Sequence, residues 1–321
     1  MRSYIKTHHP EAWEHLVKLR GSDAARAIGT FPNAMYGRAL RRIQAPYFFA
    51  DISGVMGLGA ILSMAVQILD HCDRLGTVPY LRFTSPNYAP AAGGHADWLC
   101  QHFERRSEAF AANTARFLSV RNQWDLGKTF FHADLSIERA NKLFHEHLAV
   151  RDEIVESVNA FCNGLPESTL GVHYRGTDKS LEAPRVAWTQ VLDIVQKYHI
   201  GSLSPVFVAT DEPEFLDFMR QALGRSAIID LDCQEIYTGQ RPAHLTTGDP
   251  FMKAREALKT MLVLSRFKTC IRTPSHLSAW AQIFNPHQQV VMLDRPSGSS
   301  FRFPDRQIWE ALQLRKPPRS A

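Results

Sequence analysis

Between residues 169 and 293 short apolar runs alternate with longer amphipathic stretches, and that alternation leaves few folds open to the chain. The runs at 169–175, 205–210, 227–230, 269–273 and 289–293 read as strands. The stretches at 186–198, 213–223, 251–266 and 275–284 carry apolar residues at helical spacing, and only 233–250 is irregular. Strands separated by helix-length connections do not close as hairpins; they pair in parallel, with helices on both faces. The second half is therefore an α/β unit on a parallel sheet.

The first half keeps the rhythm less strictly. Residues 46–50 read as a strand, 53–59 as a glycine loop, 60–72 as a helix and 77–83 as a second strand, one βαβ unit. Residues 84–97, rich in Pro, Gly, Ala and Ser, read as a long surface loop of the kind that serves binding. A helical stripe of Ala140, Leu143, Phe144, Leu148, Val150, Ile154 and Val158 spans 136–161, and CNGLP at 162–166 breaks it. The break places a boundary between an N-terminal α/β domain, 1–165, and a C-terminal one, 166–321; a chain of 321 residues with 45% hydrophobic content can fill two cores. The uncharged stretch 52–69 reaches the lower length of a membrane span, but Gly54, Gly57 and Gly59 bunched at its start fit a loop entering a buried helix.

A net charge of +5 favours anionic partners. The cations are scattered, with no run of five, which argues against a nucleic-acid stripe and fits a nucleotide diphosphate or peripheral contact with an anionic membrane. Five widely spaced cysteines without a CxxC argue for a reducing compartment and against structural zinc, and the N-terminus lacks a signal-peptide core, so a cytoplasmic location is expected. His145 and His147, two apart on a helix, do not face each other as zinc ligands would. The loop SGVMGLG at 53–59 does not keep dinucleotide-binding spacing, and the next strand ends without an acidic ribose partner.

The densest chemistry lies in GVHYRGTDK at 171–179. On a strand His173 and Arg175 share a face, and Gly176 lets the backbone turn sharply or approach a ligand. Ligands of open α/β sheets bind beyond the carboxyl ends of strands, where the planar fork of an arginine suits a diphosphate. The plainer alternative is an arginine paired with Asp178, which either braces Arg175 or caps the next segment. Thr210 and Asp211 end the next strand before Pro213, and helix capping also accounts for them. Ser275, after Thr273 and Pro274, opens a helix whose first amides suit phosphate oxygens, or simply caps it. Asp230 and Asp232 form a DxD triplet, a metal-binding pattern that arises often by chance.

HYRGTDK at 173–179, VFVATDEP at 206–213 and LSRFKTCIRTPS at 264–275 together resemble the three signature segments of the inverting α1,6-fucosyltransferases, with rhizobial nodulation fucosyltransferases and protein O-fucosyltransferases as more distant relatives. The match covers about half the chain, 165–295. The resemblance implies a GT-B-like α/β fold, two Rossmann-like domains facing a cleft, and metal-independent, cofactor-free transfer of fucose from GDP-fucose to a glycan or glycoconjugate hydroxyl. It implies that Arg175 holds the β-phosphate, that His173 faces the nucleotide, and that Gly176, Lys179, Thr210, Asp211, Thr273 and Ser275 line the donor. Gly57 and Gly59 would line the acceptor side. Arg175, Glu182 and Asp178 are the candidate catalytic residues, Glu182 accepting the acceptor's proton. Thr260 stands where the family has an aspartate that recognises the base; a threonine hydroxyl cannot accept from both guanine N–H groups as a carboxylate does. Glu256, one turn earlier on nearly the same face, is the substitute. Two other readings stay open: the same architecture with a different donor, and a catalytically silent nucleotide-sugar or glycan-binding module.

Overall fold

The computed structural model describes residues 47–89, 96–106, 115–122, 125–126, 134–176, 185–198, 204–231, 233, 248–296 and 302–314. Its smaller sheet has β1 (Tyr47–Ile52) in the centre, with β2 (Val78–Phe83) on one side. A short β3 (Phe103–Arg105) follows in the chain, and β4 (Ala115–Val120) completes the sheet on the other side of β1. Both pairings with β1 are parallel, Tyr47 opposite Val78 and Ala115. Along β1, Phe48, Ala50 and Ile52 are buried and their neighbours half-buried, the alternation of a strand with one covered face. Helix α1 (Leu58–Leu75) makes the crossover to β2 and covers that face. Residues 58–69, inside the uncharged stretch, thus belong to a helix packed within the protein; no helix among the described residues is long and apolar enough to cross a membrane.

The connecting region is less regular. Helix α2 (Leu99–His102) leads into β3, and α3 (Ile137–His147), β5 (Leu148–Val150) and α4 (Asp152–Cys162) follow. One helix was expected across 136–161, but β5 interrupts it and pairs antiparallel with β3, Phe103 opposite Val150. Leu148 and Val150 lie two apart, a strand spacing that a helical stripe absorbs only by chance. Asp152 and Glu153 then sit in the first turn of α4, where the helix dipole favours negative charge. The expected surface loop after β2 begins inside: Thr84, Ser85 and Tyr88 are buried. Its backbone is satisfied by the fold, Thr84 N–H donating to the Ile52 carbonyl and the Trp98 indole to that of Ser85.

The larger sheet contains β6 (Leu170–Tyr174), β7 (Val206–Thr210), β8 (Ile228–Ile229), β9 (Thr269–Arg272) and β10 (Gln289–Met292) in the order β10-β9-β6-β7-β8, all parallel. Every residue of β6 and β7 is buried, as expected for strands covered on both faces. Helices α5 (Trp188–Tyr198) and α6 (Pro213–Leu223) pack against Leu170, Val172 and Tyr174. The other face belongs to α7 (Pro250–Arg266) and α8 (His276–Phe284), and a last helix, α9 (Asp305–Leu314), packs on α8. This second face is continuous with the core of the first half. Helix α1 lies on α8, α4 on α7, and one cluster of buried residues runs from Phe48 to Ile308. Gly59 makes the α1–α8 approach possible: a Cβ there would lie 2.7 Å from the carbonyl carbon of His276. Ser63, one turn on, accepts the Trp280 indole N–H at 3.0 Å and donates to the Gly59 carbonyl at 2.7 Å.

Candidate functional site

Strand β6 carries alternate residues to opposite faces, which sends Leu170, Val172 and Tyr174 toward α5 and α6 and turns Gly171 and His173 to the other face, where Gly171 lies against Leu264 and Phe267 at the end of α7. His173 is buried at the carboxyl end of the strand, paired with Ala209 of β7 and Arg272 of β9. Burial, reinforced by the positive charges of Arg272 and then Arg175, lowers its pKa to about 3. The imidazole is therefore neutral at physiological pH, and its Nδ1 has no hydrogen-bond partner among the described residues. Among the described residues of the site, the positive charge offered to an anion therefore comes from arginine.

Past Tyr174 the chain is held by the neighbouring strand ends. Thr273 donates its backbone N–H to the His173 carbonyl at 3.1 Å, and its hydroxyl accepts the Arg175 backbone N–H at 3.0 Å. The Arg175 side chain is 24% exposed, with Nε 4.0 Å from Asp211 Oδ2, and the other oxygen of Asp211 accepts the Gly176 N–H at 3.1 Å. Asp211 thus ties the 175–176 turn to the end of β7, and the N-cap position of α6 is Glu212, which makes no side-chain cap bond. The hydroxyl of Thr210 accepts the Glu212 N–H at 3.1 Å, which accounts for the threonine locally. A Cβ at Gly176 would come 2.2 Å from Glu212 Oε1, so any other residue there would displace that carboxylate. That carboxylate accepts from Arg185 Nη2 at 2.5 Å and from the Trp188 indole at 3.3 Å; burial raises its pKa, against the pull of Arg185.

Ser275 stands at the N-cap of α8 but makes no side-chain cap bond, and its buried Oγ has no partner among the described residues. The capping alternative is therefore not what its hydroxyl does. From the first half comes Tyr88, whose buried hydroxyl accepts the Leu58 N–H at 2.8 Å. Burial pushes its phenol pKa up, and the charge of Arg175 is near enough to oppose the rise. The site accordingly lies where the two halves meet.

Alongside β7 a small, mostly apolar pocket is lined by Phe207, Val208, Ala209, Thr210, Leu231, Cys233 and Thr260. The Thr260 hydroxyl donates to the Glu256 carbonyl at 2.8 Å. Glu256 is buried one turn earlier, and its charge adds to the burial that drives the Cys233 thiol up to about 12. Gly57 and Gly59 have structural duties: the Gly57 carbonyl accepts from Ala60 and Ile61 at the start of α1, and Gly59 lies under α8. Asp230 is engaged by Arg220 Nη2 at 2.8 Å. Asp178, Lys179, Glu182 and Asp232 lie outside the described residues.

No family model matches the chain, and no curated protein does. Solved structures do match. The NodZ α-1,6-fucosyltransferase soaked with GDP-fucose aligns at a TM-score of 0.54 and 15% identity, over 76% of this chain and 94% of that one. Selenomethionine fucosyltransferase NodZ from Bradyrhizobium aligns at 0.51 and 16%, over 80% and 97%. The fold is that of the GT-B fucosyltransferases. The two α/β halves implied by the signature segments are thus present, and His173, Arg175, Gly176, Asp211, Thr273 and Ser275 converge at one place in them. Sequence reasoning missed Tyr88, Glu212 and Arg272. For Arg272 a signal existed, an arginine inside an otherwise apolar strand; Tyr88 gave none, because only the packing of the halves brings it near Arg175.

Proposed function

We propose that the chain is an inverting, metal-independent glycosyltransferase that moves fucose from GDP-fucose to a hydroxyl of a glycan or glycoconjugate. The observation that carries this reading is Arg175: a partly exposed guanidinium fixed at the carboxyl end of β6, with the start of α8 and the Ser275 hydroxyl, which has no partner among the described residues, on the adjoining strand end. As the bond from the sugar to the nucleotide breaks, negative charge collects on the β-phosphate. A guanidinium fork meets it with paired charge-assisted bonds, and the α8 amides and the Ser275 hydroxyl add donors from the helix's positive end. Asp211 orients the arginine from the side. Neutral His173 adds no competing charge, and its ring nitrogens serve as hydrogen-bond groups toward the nucleotide. Glu182 takes the proton from the acceptor hydroxyl as that oxygen attacks the anomeric carbon from the face opposite the nucleotide.

Thr260, standing where the resemblance places a base-recognising aspartate, favours a second reading, the same chemistry with another nucleotide. Calorimetric titration with GDP, UDP, ADP and dTDP distinguishes the two. With Glu256 serving guanine, GDP binds tightest; UDP or dTDP binding more tightly by about tenfold, roughly 1.4 kcal/mol, overturns the GDP-fucose assignment while leaving a glycosyltransferase.

A further inference from the structure

Arg272 is a second guanidinium at the site for which the reaction above has no use. It ends β9 beside His173 and is 0% exposed. Its Nε donates to Ser278 Oγ at 2.8 Å, and its Nη2 donates to the Ser275 carbonyl at 2.7 Å and to Asp305 Oδ1. Asp305 is the first residue of α9 and is also 0% exposed. The ion pair therefore pins the start of the last helix to the turn at 273–275. That turn holds the site: Thr273 receives the Arg175 backbone N–H, and Ser275 opens α8. Contacts run without a gap from Asp305 through Arg272 to Ser275, and from Thr273 to Arg175.

Stability alone is a poor account of this pair. Desolvating two charges offsets most of their attraction, and a well-packed apolar pair of the same volume is often as stable or more so. What a guanidinium offers beyond an apolar side chain is direction, since its planar fork fixes several acceptors at once. Here it fixes three: a helix-start carbonyl, a hydroxyl one turn into that helix, and a carboxylate from a distant segment. Arg272 Nη1, Asp305 Oδ2 and Ser275 Oγ remain without partners among the described residues, so the cluster keeps polar capacity beside the proposed diphosphate.

We propose that Arg272 and Asp305 are positioning residues, which hold the 273–275 turn in the arrangement that Arg175, Thr273 and Ser275 need for a nucleotide diphosphate; the proposal rests on the reading of the site given above. The test combines a paired variant with a measurement on the unaltered protein. Arg272→Met with Asp305→Leu removes both charges and keeps the volume, so the variant melts near the wild-type temperature while GDP affinity falls by about tenfold or more. A variant that melts normally and binds GDP as tightly as wild type overturns the proposal. If the paired variant does not fold, hydrogen exchange on the wild-type chain decides: added GDP slows amide exchange in α9 as well as around 173–176 and 273–276. GDP binding with unchanged exchange in α9 overturns the positioning role alone. A wild-type chain that binds no GDP overturns the GDP-dependent reading of the site, and this proposal with it.

Discussion

At the scale of single residues the proposed site depends on the partly exposed guanidinium of Arg175. Arg175→Ala should lower GDP affinity and transfer rate, because one charge-assisted contact to a diphosphate contributes about 1.5 to 3 kcal/mol. The fold should be unaffected, since the backbone N–H that meets Thr273 is retained and the side chain is partly solvated. Calorimetry and a transfer assay check this; near-normal turnover would remove Arg175 from the mechanism. The residues legible in advance, His173, Arg175, Gly176, Thr273 and Ser275, are those whose meaning is local: a strand end, a turn, a helix start. Asp211 was only half legible. Its place before Pro213 fits a cap, and only the three-dimensional pairing of β6 with β7 sets its carboxylate beside Gly176 and Arg175.

At the scale of elements the second half was readable to within about two residues at most boundaries, because each strand is a single apolar run ended by Gly, Pro or charge. The connecting region was not, since β5 exists only by pairing with β3, and α9 is tied in through a buried contact with β9. Two contacts between elements can be tested. Gly59→Ala places a methyl against the backbone of α8, which cannot yield as a flexible side chain would, and should cost about 1 to 3 kcal/mol of stability by chemical denaturation. An unchanged midpoint would mean that α1 and α8 do not meet as described. His102 of α2 stacks on Phe251 of α7 at 4.8 Å, buried, with both ring nitrogens unpartnered among the described residues. Burial, then the charges of Arg255 and Arg151, lowers its pKa from 6.5 to about 4. A depressed folded value means that stability is fully present above the unfolded pKa and is lost as pH falls through the folded one. The protein should therefore weaken between pH 6.5 and about 4 by on the order of 3 kcal/mol from this group, and His173, whose folded value is lower still, adds a loss over the same window that continues to about pH 3. His102→Phe keeps the stacking and should reduce that slope, leaving the share that His173 contributes; an identical pH profile would exclude His102 as a source.

At the scale of the whole molecule, two parallel sheets are joined through α1, α4, α7 and α8, and the site sits where Tyr88 of one half approaches Arg175 of the other. This arrangement bears on how the leaving diphosphate of the proposed transfer would be neutralised. Arg175 and the α8 start supply positive potential at the ends of β6 and β9, while the one described carboxylate of the DxD triplet, Asp230, is engaged by Arg220 on α6. If protein groups carry that charge, transfer should proceed undiminished in excess EDTA, and added Mn²⁺ or Mg²⁺ should not raise the rate. If a divalent ion carries it, EDTA should abolish transfer and metal should restore it. The second outcome would move the phosphate contact toward Asp230 and Asp232, and Asp230→Asn would then abolish activity. Under the arrangement proposed here, Asp230→Asn loses only a partly exposed ion pair, about 1 kcal/mol or less of stability, and leaves the metal-free rate intact.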